Sequence, residues 1–348
     1  MSTRAAHSAY STMPSTEHCA RSLMTAACRA AERGDQLEAS NLYRNAGNFF
    51  KIARQWEAAG VAYRDAGQLK APLEADDSTG PSRTTGAPLS TASGLLTTAS
   101  DCFVKADQHR EAETCLLLAA ELLTFAGDFF TAAGHYAVLG QLVVPRDMDA
   151  GTGHFEEAAR LYEIGESAGH YHSDRAWLTV AELLARQGYY KRAIEIYEDV
   201  GQRNTPANAP DTYFTFPTTG VGARLYANAD MAYYAYFRAV VCHLVRDGPL
   251  DAKIAVARYE DRMPAFRSSQ QRGILRQAMG HAEDQFTAKN VEQLLTADAA
   301  SSGIVAQCAA GSPPSNYRAY RLLSEWSRMM MGRALQRLWA TEYDRARE

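Results

Sequence analysis

Apolar side chains recur along this chain three and four residues apart, the spacing that places them on one face of an α-helix. In four places the pattern takes a fixed form: an aromatic ring, an alanine three residues on, and a second ring seven residues on. Trp56, Ala59 and Tyr63 make one set, and Phe129, Ala132 and Tyr136 a second; Phe155, Ala158 and Tyr162 make a third, and Tyr190, Ala193 and Tyr197 a fourth. Alanine lets a neighbouring backbone come close while the flanking rings fill the gap between helices. Glycine follows four residues later in three sets, at Gly67, Gly140 and Gly201, where a left-handed helix cap would favour it. The third set begins 26 residues after the second and the fourth 35 residues after the third, offsets that suit hairpins of two short helices. The pattern predicts an all-α chain, a TPR-like α-solenoid.

Helices are predicted near residues 15–33, 37–53, 55–70, 95–106, 108–126, 128–142, 155–168, 173–187 and 189–200. Further ones are predicted near 230–247, 250–261, 268–286, 289–298 and 317–343. Alternating Val/Ile/Thr-rich runs that would mark strands do not occur. Three segments interrupt the periodicity. Residues 72–94 are rich in Ser, Thr, Gly and Pro and read as a mobile insertion, 202–229 as an inserted loop, and 299–316 as a linker. The expected organisation is therefore an N-terminal segment and helix over 1–36, a hairpin solenoid over 37–201, and a helical C-terminal part over 230–343.

Composition narrows the partners. Lys and Arg number 36 against 40 Asp and Glu, a net charge of −4 with a pI near 6.2, which argues against nucleic acid as the main partner. No run of 18 apolar residues offers a membrane span, and Met1–Glu17 lacks the apolar centre of a signal peptide. The six cysteines are scattered without metal-site spacing, which suits buried thiols in a reducing, cytoplasmic setting.

Enzyme chemistry finds little support. His154, His170, His172 and Asp174 invite a metal reading, but Gly169 and Ser173 among them suggest a loop and a helix cap. Gly165-Glu166-Ser167-Ala168-Gly169 has the letters of a nucleophile elbow, yet a helix precedes it where that motif needs a strand. No phosphate-binding glycine loop ending in Lys-Ser or Lys-Thr occurs. The expectation is a non-enzymatic protein without a cofactor.

Several longer stretches carry a family likeness. They include Leu42 to Gly60 (LYRNAGNFFKIARQWEAAG), Phe103 to Asp107 (FVKAD), Tyr190 to Gly201 (YKRAIEIYEDVG), and Ala252 to Glu260 (AKIAVARYE) followed by Pro264-Ala265-Phe266. Phe237-Arg238-Ala239, Cys242-His243 and Leu323-Ser324-Glu325-Trp326 add to it. Over about residues 37–338 the chain resembles the soluble NSF attachment proteins, the alpha form more than the gamma form. The resemblance implies hairpins capped by a C-terminal helical bundle. It also implies an adaptor that binds assembled SNARE complexes along a basic face and recruits a hexameric NSF-type AAA ATPase to take them apart. A scaffold of the same fold that docks a different cargo remains the alternative.

On the basic face, the resemblance picks out Lys105, Arg175, Arg238 and Arg276, while positions that are basic in the family read Asp128, Gly134 and Thr179 here. For the ATPase it picks out Asp247, Glu283 and Asp284, with Gly280 in place of another acid. The last residues, Asp344 to Glu348, lack the family's leucine next to last, so weaker ATPase stimulation is expected. Family members touch membrane through an N-terminal aromatic loop; the matching stretch, Arg29 to Asp35, has no aromatic, and Tyr213, Phe214 and Phe216 are the candidate membrane contact instead. The implied location is cytoplasmic, peripheral on vesicle, Golgi or endosomal membranes.

Overall fold

A computed structural model of the chain describes residues 16–77, 90–165, 170–205, 221–269, 271, 272, 275, 329, 330 and 333. Among them the regular elements are helices: α1 (Thr16–Glu32), α2 (Gln36–Ile52), α3 (Trp56–Asp77), α4 (Ser90–Lys105), α5 (His109–Ala126) and α6 (Phe129–Val143). They continue with α7 (Met148–Gly165), α8 (Tyr171–Gln187), α9 (Tyr190–Arg203), α10 (Val221–Arg246), α11 (Pro249–Arg262) and a 3-10 turn at Pro264–Ser268. The all-helical solenoid expected from the periodicity is present. Two compact units divide it, Met1–Ala176 and Trp177–Glu348. From α1 to α7 each helix packs on the next, and so do α9, α10 and α11.

One turn geometry joins helix to helix repeatedly. A left-handed residue ends the first helix at Gly34, Arg54, Asp107, Gly127 and Gly188, with φ of 85°, 56°, 62°, 81° and 92°. Its N–H donates to the carbonyl three residues back and the next N–H to the carbonyl five back, as in Gly34 to Ala31 with Asp35 to Ala30, or Arg54 to Lys51 with Gln55 to Phe50. Orphan carbonyls at the helix end are thereby satisfied, and the chain reverses within three residues. Glycine takes the left-handed region freely. Arg54 and Asp107 do so against a steric cost of roughly 1–2 kcal/mol.

The aromatic–alanine sets form the seams between helices. Ala59, Ala132, Ala158 and Ala193 are all fully buried, with Tyr63, Phe155 and Tyr197 beside them in the interior. The glycines that follow are not caps, contrary to the expectation from sequence. Gly67, Gly140 and Gly201 lie within α3, α6 and α9, and none has a positive φ. Each clears a path for a neighbouring side chain. A Cβ would stand 2.9 Å from Leu96 at Gly67, 2.7 Å from the Phe155 ring at Gly140 and 2.6 Å from the Tyr236 ring at Gly201. In the first unit, Phe50, Tyr63 and Phe103 build one core cluster with Cys102 and Cys115.

Helix boundaries differ from the expected ones where capping residues hide in polar sequence. The Asp147 carboxylate accepts from the Ala150 N–H at 3.0 Å, and the Thr152 hydroxyl donates to the Met148 carbonyl at 2.7 Å, so α7 starts well before residue 155. Helix α3 runs on through Pro72 to Asp77 and α4 begins at Ser90, so helix occupies both flanks of the expected 72–94 insertion. Likewise α9 reaches Arg203 and α10 begins at Val221, inside the expected 202–229 loop. Residues 78–89, 206–220 and 299–316 lie outside the described residues, as do the predicted helix at 289–298 and most of 268–286 and 317–343.

Candidate binding surfaces

Lys105 sits in the last turn of α4, exposed, with its ammonium 4.7 Å from the centroid of the Trp56 ring. The ring holds a charge that would otherwise sample many rotamers, at no loss of its charge. Arg175, in the first turns of α8, is half-buried with its guanidinium 5.6 Å from the Tyr171 ring centroid. One of the positions that the sequence flagged as lacking a cation has other work. The Asp128 carboxylate accepts the Thr131 N–H at 3.1 Å and so caps α6. At Gly134 a Cβ would meet only the Tyr162 hydroxyl, at 3.7 Å.

Arg238 is the exception among the expected surface cations. It is 1% exposed, inside the second unit, 4.6 Å above the Tyr234 ring and 3.9 Å from the Glu182 carboxylate. Glu182 also accepts from Arg186 at 2.8 Å. Burial pushes the Glu182 carboxyl upward, and the two guanidinium groups pull it back. As the structure places it, Arg238 is a core residue rather than part of a surface stripe. The reason is its position on α10: Tyr236, Ala239 and Cys242, on the same stretch, are all fully buried.

The second unit presents its own charge network where α9, α10 and α11 meet. The Glu198 carboxylate accepts from the Tyr259 hydroxyl at 2.6 Å and from Arg258 at 2.5 Å, and His243 Nε2 lies 3.8 Å away. Burial alone would raise the Glu198 carboxyl, but the nearby His243 ring, the Tyr259 hydrogen bond and the charge of Arg258 overcome it and hold it at about 2. Asp247, expected on the ATPase side, lies at the end of α10. Its carboxylate is bound by Arg246 at 2.6 Å and lies 3.2 Å from His243 Nδ1; the Arg246 hydrogen bond above all holds it below the usual carboxylate range. His243, Arg246, Asp247, Asp251, Ile254 and Arg258 line a shallow cleft here. Arg276, Glu283, Asp284, Tyr213, Phe214 and Phe216 lie outside the described residues.

The comparisons with known proteins agree with this architecture. The family described as "Soluble NSF attachment protein, SNAP" matches residues 20–210. The human alpha-soluble NSF attachment protein is 31% identical over 250 residues, 71% of this chain and 73% of the human one. The chain belongs to the soluble NSF attachment protein family. The bovine beta form of the family is 30% identical over 250 residues, 71% of this chain and 72% of its own. A probable vesicular-fusion protein sec17 homolog of Schizosaccharomyces pombe is 27% identical over 175 residues, 49% of this chain and 54% of its own. The family is one of non-catalytic adaptors.

In this family member two of the three histidines that sequence flagged for metal make ring contacts. His172 stacks on Tyr162 at 5.4 Å and meets Phe130 edge-on at 5.1 Å, and His154 stacks on Tyr136 at 6.3 Å. Among the described residues no group of three His, Cys, Asp or Glu side chains could hold a metal ion. Sequence reasoning missed the network around Glu198, whose members come from three helices and share no spacing. It also missed the exposed rings Phe125, Phe130 and Tyr171. Phe125 could have been found, because it falls out of phase with the buried stripe of α5 that ends at Leu123.

Proposed function

We propose that this protein is an adaptor that binds assembled SNARE complexes and recruits an NSF-type hexameric ATPase for their disassembly in vesicular transport and fusion. Family membership over residues 20–210, with relatives named for NSF attachment, carries the reading. SNARE bundles are acidic coiled coils, and Lys105 with Arg175 supplies cations held in place by rings. Each such exposed pair is worth only about 0–1 kcal/mol and is screened by salt beyond about 8–10 Å. Several contacts must therefore act together, and Arg276 is the further candidate. Asp247, with Glu283 and Asp284, would offer carboxylates to the ATPase, with Arg246 and His243 tempering the charge of Asp247. Membrane association is peripheral in this reading, on vesicle, Golgi or endosomal surfaces, with Tyr213, Phe214 and Phe216 as an apolar contact.

The test is a pull-down on a purified SNARE complex with and without the ATPase, at low and high salt. The expected result is a ternary complex that weakens with salt and weakens further in a Lys105→Glu, Arg175→Glu double variant. Absence of SNARE binding at low salt would sink the adaptor reading. The scaffold with a different cargo would then stand, a second reading favoured by the burial of Arg238 and by Asp128 serving as a helix cap.

A further inference from the structure

The last carbonyls of a helix have no amide donors within the helix, and they carry the negative end of its dipole. At the end of α8 two of them are met by the left-handed turn at Gly188. The Gly188 N–H donates to the Ala185 carbonyl at 3.2 Å and the Tyr189 N–H to the Leu184 carbonyl at 2.9 Å. A third is met from far along the chain. Arg333 Nη1 donates to the Arg186 carbonyl at 3.1 Å, and it lies 3.3 Å from the Ala185 carbonyl and 3.0 Å from the Tyr190 hydroxyl at the start of α9. The Arg333 side chain is half-buried, and Met330, on the same helix face three residues earlier, is fully buried. A cation on helix-end carbonyls and a buried apolar side chain beside it make a two-point attachment. It ties the α8–α9 hairpin to chain 143 to 148 residues further on.

Where this attachment falls in the chain matters for the stretch before it. Leu275 is fully buried in the second unit. Just ahead of it the Arg272 N–H donates to the Ser269 hydroxyl at 3.1 Å, and the Arg272 guanidinium pairs with Glu260 on α11. Residues 276–328 therefore run between two fixed points, Leu275 and the pair Met330 and Arg333. Among them are Glu283 and Asp284, which the adaptor reading offers to the ATPase together with Asp247. A stretch held at both ends reaches far fewer positions than one held at a single end, so less ordering is left for a partner to impose when it docks.

We propose that Arg333 is a positioning residue that clamps the C-terminal part of the second unit to the α8–α9 hairpin and thereby sets the carboxylates that face the ATPase. The clamp is read from the geometry around Arg333; its effect on the ATPase rests on the adaptor reading. SNARE contact does not depend on it, because Lys105 and Arg175 belong to the first unit.

The experiment compares the full chain with its Arg333→Met, Arg333→Lys and Tyr190→Phe variants. Three readouts are taken: hydrogen exchange, affinity for an NSF-type ATPase on a SNARE complex, and SNARE-complex pull-down. Arg333→Met keeps an aliphatic stem and loses the charged donor. Amides over 185–190 and 329–333 should then exchange about tenfold faster, the scale of a hydrogen bond from a charged group. Those over 236–246 in α10 should keep the parent's rate. ATPase affinity should fall by up to the same factor, since the competent fraction scales it, and SNARE binding should stay as it was. Arg333→Lys should recover part of both losses. Tyr190→Phe removes one acceptor, so it should give a smaller loss and add nothing in the Arg333→Met background. The clamp is refuted if Arg333→Met exchanges like the parent at both sites. The positioning role falls if exchange rises while ATPase affinity holds. It falls equally if SNARE binding and exchange throughout the second unit change too, which would make Arg333 a general core residue. A parent that binds the SNARE complex but no ATPase would overturn the adaptor reading and the positioning role together, and exchange over 185–190 would still decide the clamp.

Discussion

Replacing Arg238 with methionine removes a cation that is 1% exposed and leaves its carboxylate partner, Glu182, inside the second unit. Breaking a buried pair by deleting one member typically costs about 3–5 kcal/mol, because the remaining charge is stranded in a medium that solvates it poorly. Here the lower end applies to Arg238→Met, since Arg186 still donates to Glu182 at 2.8 Å. Glu182→Leu should be worse, near the upper end, because it strips the carboxylate from a guanidinium at the centre of α10. For a unit of this size about 2–4 °C of midpoint accompanies each kcal/mol, giving a fall of roughly 6–20 °C. Changing both residues to apolar ones should recover most of the loss, since well-packed apolar replacements of a buried pair are often neutral. Thermal unfolding followed by circular dichroism on the parent, both single variants and the double closes the cycle. If Arg238→Met melts with the parent, or if the double variant is the sum of the singles, Arg238 is not a buried partner of Glu182. The result also governs how Arg238→Glu is read in binding assays: lost partner binding there would report an unfolded unit rather than a lost contact.

Four further outcomes are expected. Gly140→Ala gains about 0.5–1 kcal/mol of helix propensity but drives a Cβ to 2.7 Å from the buried Phe155 ring, so a net loss of about 1–2 kcal/mol is expected in urea unfolding. Gly94→Ala, with nothing within 4 Å, should instead stabilise by about 0.5–1 kcal/mol, and the same sign for both would refute the packing argument. Arg54→Gly removes a left-handed arginine at φ 56° and should raise the unfolding midpoint by up to about 1 kcal/mol equivalent. Glu198 is held at about 2 against an ordinary 4.5, a depressed carboxyl, so its stabilisation is present above pH 4.5 and is lost as pH falls towards 2. Glu198→Gln should flatten that acid limb; an unchanged limb would contradict the network.

The helical class and the hairpin seams were legible because one local signal, rings around an alanine, repeats with the helix period, and all four alanines are fully buried. What the glycines do was not legible: Gly67, Gly140 and Gly201 meet side chains from the following helix, and that is a tertiary fact. The start of α7 was hidden because Asp147 and Thr152 act through caps and hydroxyls rather than through apolar spacing. Among the candidate site residues, the family resemblance names Lys105, Arg175 and Arg238 alike, and nothing in the sequence says which of them faces solvent. A lone arginine reads the same on paper whether it faces solvent or Glu182, and only the packing around α10 decides between them. The Glu198 network was illegible for a related reason, since Tyr259 and Arg258 lie about sixty residues further along the chain.

Because α1 to α6 each pack on the helix that follows, the contacts of the first unit close short loops. Little chain entropy has to be spent before a contact rewards it, so folding should be fast for a chain of this length and able to begin at any hairpin. A hairpin leaving the ribosome can settle before its successors are made, and each later helix then adds to a formed edge. The same locality limits damage: a lesion in the seam between α3 and α4 loosens those two helices first and reaches α7 only through every seam between.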